Sequence, residues 1–193
     1  MPSIEALSYM SPGPNSRVVA YSANGLILGY IPFSAFGGSA PGGVVDYVRV
    51  ADVKPNNTAG GSFLSGADRV RDINTIISDE SSLCSLDNNQ VTLAAGSWFC
   101  LIVCPCYVVY TNRARLYNVS LSEDLVVGPT CTSHEGCGNG PSVFGAFELL
   151  SESVLEIRHR CAVDNPGDGF GVAANFGEPE MYTVADFWRV SES

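Results

Sequence analysis

Between Val154 and Val163 the chain alternates one residue at a time. Leu155, Ile157, His159 and Cys161 fall on one side of an extended backbone, and Glu156, Arg158 and Arg160 fall on the other. The same two-residue period runs through Tyr47 to Asp52, and Gln90 to Ala94 is short and rich in β-formers. Trp98 to Tyr110 is apolar on both faces, the pattern of a central strand covered on both sides. Arg113 to Leu121, Ser142 to Leu150 and Met181 to Val190 complete the series. Turn-forming clusters separate these runs: Asn56 to Gly61, Asp87 to Asn89, Gly136 to Pro141 and Asp164 to Gly169. Short strands spaced in this way predict an all-β sandwich or jelly roll.

Two windows also carry helical spacing. Val70, Ile73, Ile76 and Ile77 would line one face of a helix of a couple of turns, and residues 146 to 157 would tolerate one. Gly66 and the Ser81-Ser82 pair confine the first, and the alternation from Leu155 onward overrides the second, so both read as mainly β, with a short helix over 70 to 77 as the exposed alternative. Nearer the start, Arg17 to Ala23 and Leu26 to Phe33 flank Asn24-Gly25, which predicts a type I′ hairpin. The Gly-rich stretch Phe36 to Gly43 then has few side chains to pack and reads as a linker. The predicted organisation is an N-terminal hairpin in residues 1–36, a linker in 37–44 and a sandwich domain in 45–193.

Charge narrows the function classes. The formal net charge is −10, and nine of the ten basic residues are Arg, with Lys54 the exception. So few basic side chains predict no basic patch and no nucleic-acid binding. The start lacks the basic and apolar regions of a secretory leader. The longest apolar run is broken by Pro105 and is shorter than the roughly 18 to 20 residues that span a bilayer, so no membrane insertion is expected. Seven cysteines without a leader suggest synthesis in a reducing cytoplasm and later work outside the cell, in a particle released by lysis.

Catalytic patterns are missing. No Gly-x-Ser-x-Gly elbow occurs, and of the two histidines His159 reads as a packed, hydrogen-bonded core residue. Cys131, His134 and Cys137 form a weak candidate zinc set, with a loop disulfide between Cys131 and Cys137 or plain thiols as the competing readings. Cys104 and Cys106 read as small buried hydrophobes. Asp164 to Gly169 lacks the oxygen ladder of a calcium loop. No enzyme activity and no cofactor are expected.

From Val50 onward a set of phrases stands in order: Val50-Ala51-Asp52, Gly60-Gly61-Ser62-Phe63, Arg71-Asp72-Ile73-Asn74-Thr75, Leu93-Ala94-Ala95-Gly96-Ser97, Ala114-Arg115-Leu116-Tyr117-Asn118-Val119, His159-Arg160-Cys161, Gly169 through Gly177, and Phe187-Trp188-Arg189. In these the chain resembles the C-terminal jelly-roll domain of tailed-bacteriophage virion appendage proteins of the tail-fibre type. The resemblance implies a TNF/C1q-like jelly roll, a homotrimer, and a place on the virion after synthesis in the host cytoplasm. It implies a display module for attachment to a host surface glycan or protein; the alternatives are a capsid decoration (cement or head-fibre) protein and a free glycan-binding protein.

Particular residues are expected to carry these roles. Phe170, Phe176, Tyr182, Phe187 and Trp188 crowd the end of the chain and predict a trimer interface. Arg113, Arg115, Arg158 and Arg160 have i, i+2 spacing and predict structural charge pairs with carboxylates such as Glu148, Glu156 or Asp186. Leu26, Leu28, Tyr30 and Phe33 make the hairpin's second arm apolar, which predicts an anchor to another virion protein.

Overall fold

The computed structural model describes residues 19–21, 27–30, 44–135 and 142–190. The chain divides into two compact units, Met1–Gly43 with Ser191–Ser193, and Val44–Val190. In the first, β1 (Val19–Tyr21) pairs antiparallel with β2 (Ile27–Tyr30), with Val19 opposite Tyr30 and a bulge after Ala20. Leu28 and Tyr30 therefore lie in β2. Leu26 and Phe33, and the Asn24-Gly25 turn, lie outside the described residues.

The second unit is a jelly-roll sandwich. Its strands are β3 (Val44–Lys54), β4 (Arg69–Val70), β5 (Thr75–Asp79), β6 (Cys84–Asp87), β7 (Gln90–Leu93), β8 (Gly96–Val103), β9 (Tyr110–Asn118), β10 (Glu123–Val127), β11 (Cys131–Ser133), β12 (Ser142–Leu149), β13 (Ser153–Cys161) and β14 (Glu180–Val190). A front sheet has the order β12-β8-β14-β3-β5. A back sheet has the order β10-β9-β13-β7-β6, with β11 added to β9 and β4 to β13. Every pairing is antiparallel. The chain passes from sheet to sheet at every step from β3 to β6, from β7 to β9 and from β11 to β14, so neighbours in sequence line opposite walls of one core.

That core follows from the alternation. Trp98, Cys100 and Ile102 from β8 meet Ala114 and Leu116 from β9, Leu155 and Ile157 from β13, and Ala185 and Phe187 from β14, all buried. Trp98 donates its indole N–H to the Ala94 carbonyl at 3.1 Å, satisfying its one polar atom. A second buried cluster of Phe63, Cys106, Val109, Cys161 and Phe170 lies toward one end. Glycine is required there: a Cβ on Gly171, which has φ +140, would lie 2.4 Å from the Tyr182 ring.

One expectation is corrected. The apolar run from Trp98 to Tyr110 is not one strand: β8 ends at Val103, and residues 104–109 carry the chain to the back sheet. Pro105 lacks a ladder donor, and Val108 (φ 50) and Tyr110 (φ 56) both sit in the left-handed region that turns the backbone. Over residues 70–77 the mainly β reading holds at both ends, and no helix forms. Val70 closes β4 in the back sheet and Thr75 opens β5 in the front one. Their apolar residues serve two layers, which produces a spacing that only resembles a helical face: Ile73 is buried, while Ile76 and Ile77 are exposed.

Candidate interaction surfaces

The front sheet shows solvent an apolar outer face, and strand register arranges it in rows. Trp188 of β14 stands between Tyr47 of β3 and Phe99 of β8, and Phe99 stands opposite Ala146 of β12. The rings form a continuous band, with centroids 5.6 Å apart for Tyr47 and Trp188 and 6.1 Å for Phe99 and Trp188. In the next row Asp186 stands between Arg49 and Leu101, and Leu101 opposes Phe144. In the third, Val184 opposes Val103. Phe99 (40%), Leu101 (37%), Val103 (43%) and Phe144 (63%) remain accessible, far more apolar area than a single stray side chain leaves on a monomer.

One polar group is set into this face. The Asp186 carboxylate accepts from the Tyr47 hydroxyl and lies 3.6 Å from Arg49 Nε. Burial, then the adjoining carboxylate, raises the Tyr47 hydroxyl pKa above its ordinary value, keeping it a donor.

The five aromatic residues assigned to a subunit interface separate. Trp188 lies on the apolar face. Phe170, Tyr182 and Phe187 are buried within their own chain, so the aromatic surplus inferred from their number is absorbed by the protomer and they present no surface to a partner. Phe176 is 86% exposed in the loop before β14. The Glu180 carboxylate ties that loop down by accepting from the backbone N–H of Asn57, Ala174 and Asn175 at 3.1, 3.0 and 2.8 Å, which holds its pKa below the usual range. The sequence did not single out Phe99, Leu101, Val103 and Phe144 as exposed apolar residues. For Phe99, Leu101 and Val103 the signal was the run from Trp98, apolar on both faces, which has a cover on only one.

The back sheet's outer face carries Arg113, Arg115, Arg158 and Arg160, in two opposed pairs across β9 and β13. Arg115 pairs with Asp124 at 3.0 Å and Asp68 at 3.8 Å. Arg158 pairs with Glu156 at 2.8 Å and stacks 3.4 Å over the Tyr117 ring. Arg113 and Arg160 pair with no carboxylate among the described residues. They face each other directly across β9 and β13, and both are exposed.

Between the sheets lies a polar knot. The Arg71 guanidinium is fully buried; it donates to Thr183 Oγ1 at 2.7 Å and the Phe170 carbonyl at 3.1 Å, and lies 3.9 Å over the Phe170 ring. His159, its ring tilted 49° to that of Phe63 with centroids 4.5 Å apart, shares a 3.1 Å hydrogen bond between Nε2 and Asn112 Oδ1. Burial, reinforced by Arg71, pushes the His159 pKa down to about 2, so the imidazole is neutral. Burial also pushes the Cys104 and Cys161 thiols up to about 11 and the Cys100 thiol up to about 12, which makes them packing groups rather than nucleophiles. Cys131 and His134 are described but Cys137 lies outside the described residues. Among the described residues no three His, Cys, Asp or Glu side chains are grouped to hold a metal ion. Among them also, no helix is long and apolar enough to cross a membrane.

No protein-family model matches the sequence, and no curated protein matches it. Among solved structures the chain is similar to the crystal structure of murine APRIL at pH 8.5, with 10% identity, TM-score 0.48, and coverage of 74% of this chain and 98% of that one. It is also similar to the globular domain of zebrafish complement 1qA protein, with 10% identity, TM-score 0.47, and coverage of 77% and 99%.

Proposed function

We propose that this chain is a homotrimeric display module of a bacteriophage particle, with residues 45–193 presented for attachment to a host surface and residues 1–36 fixing it to another virion protein. The observation that carries self-association is the outer face of β8, β12, β14 and β3. Phe99, Leu101, Val103, Phe144 and Trp188 form a contiguous apolar surface on a chain whose net charge of −10 otherwise favours solvation. A second copy covering that face removes its rings from water, and Arg49 with Asp186 sets the register between subunits. The number three and the virion location rest on the sequence resemblance. Display rather than catalysis is supported by the neutral, buried His159 and the high thiol pKa values.

Fractionating phage particles with an antibody to residues 45–193 tests the reading. Recovery with tails supports an attachment module. Recovery with heads replaces it with capsid decoration, and absence from particles removes the virion assignment.

A further inference from the structure

Placing like charges directly opposite each other on neighbouring strands is unfavourable, because their Cβ atoms are only about 5 Å apart. Arg113 and Arg160 are so placed, and among the described residues neither has an ion pair, although the chain carries 20 acidic side chains against 10 basic ones. Their neighbours are already occupied: Arg115 is held by Asp124 and Asp68, and Arg158 by Glu156 and Tyr117. The two free guanidiniums are thus hemmed by spent ones on one side. On the other side along the strands stand the exposed Thr111 and Ala162, with Thr132 opposite Thr111, and these offer hydroxyls and little bulk. Two arginines in directly opposed register are placed so that both guanidiniums can donate to one oxyanion.

We propose that Arg113 and Arg160 form a binding site for the carboxylate or sulfate group of an acidic saccharide, with Thr111 and Thr132 meeting its hydroxyls. This rests on the reading of the chain as an attachment module and names the ligand class that module takes. The site lies on the back sheet, across the sandwich from the proposed self-association face, so it stays open in the assembly. The charge of the whole chain selects the anion. Nucleic acid, with a charge every 1.7 Å or so, is repelled by a protein of net charge −10 more strongly than a saccharide that carries one anion per sugar.

The test uses the full chain and monitors arginine Nε–Hε NMR signals while sodium sulfate, galacturonic acid, oligogalacturonate, its carboxyl-reduced counterpart or hexaglutamate is added. Sulfate and galacturonate should shift Arg113 and Arg160 saturably and leave Arg49 and Arg189 unmoved. Oligogalacturonate should bind more tightly than the monosaccharide because several sites engage one chain, and its carboxyl-reduced form should not bind. Arg160→Gln should weaken binding about tenfold, or roughly 1.4 kcal/mol. Sulfate raises protein melting temperatures generally, so its rise should be larger in the wild type than in Arg160→Gln. Uniform shifts at all exposed arginines, unchanged binding in Arg160→Gln, or hexaglutamate binding as tightly as oligogalacturonate would overturn the proposal. Light scattering on the same samples separates the two readings: a monomer that binds uronate overturns the assembly alone, and a trimer that does not bind overturns this site alone.

Discussion

Leu101 in β8 stands opposite Phe144 in β12, and both point away from the core that Ile102 and Val143, one residue along each strand, help to build. The two strands therefore have two apolar faces, and the sandwich covers one.

Replacing Phe144 by Asp should leave the fold intact, since its side chain is 63% exposed, and should dissociate the assembly by placing a charge within the apolar face. Far-UV circular dichroism like that of the wild type, with a single-chain mass in solution, is the expected result. The inward neighbour gives the contrast: Val143→Ala opens a cavity in the core and should lower the melting temperature.

Acid should weaken the fold through His159 before the Asp164 and Glu180 carboxylates titrate. His159 is neutral when folded, with its pKa near 2, while the unfolded chain takes up a proton near the ordinary value of 6.5. As pH falls below about 6.5 the unfolded state gains a proton that the folded state does not, so stability declines; above that value the contribution is level. The Asp164 and Glu180 carboxyls, both held low, titrate in more acidic solution. The drop in melting temperature between about pH 7 and pH 5 should be larger in the wild type than in His159→Gln, whatever the variant's absolute stability.

Gly171 is the most exacting glycine. Alanine there must adopt φ +140 and place its Cβ 2.4 Å from the Tyr182 ring, whose hydroxyl donates to the Thr58 carbonyl at 2.6 Å. The ring is tethered at its far end and gives way poorly. Gly171→Ala should cost on the order of 1 to 3 kcal/mol in chemical denaturation, while Gly177→Ala, with nothing within 4 Å, carries only the backbone penalty of its φ of +89.

Thiol labelling should divide the cysteines by burial. Cys100 and Cys104 are fully buried with raised pKa values, and should react with a disulfide reagent only on unfolding. Cys131, partly exposed in a short edge strand, should react in the native protein.

The sequence makes some of this legible and hides the rest for physical reasons. The alternation from Leu155 to Cys161 reports a half-buried strand directly, and β13 occupies Ser153–Cys161. The edge strands β6 and β10 escape notice because partial exposure blurs their period, as it does in Thr75–Asp79, where a helical spacing competes with the β reading. Spacing shows that Arg158 and Arg160 share a face, but which carboxylate meets each depends on register. Register gives Glu156 to Arg158 and sets Arg160 against Arg113. Phe170, Tyr182 and Phe187 look like surplus aromatic surface until the Phe63 cluster, the Gly171 contact and the main core are seen to enclose them.

The account turns on whether copies of this chain associate through the front sheet. Sedimentation equilibrium of the full chain at micromolar concentration measures that directly: the predicted result is three times the chain mass of 20.4 kDa, and a single-chain or two-chain mass would contradict it.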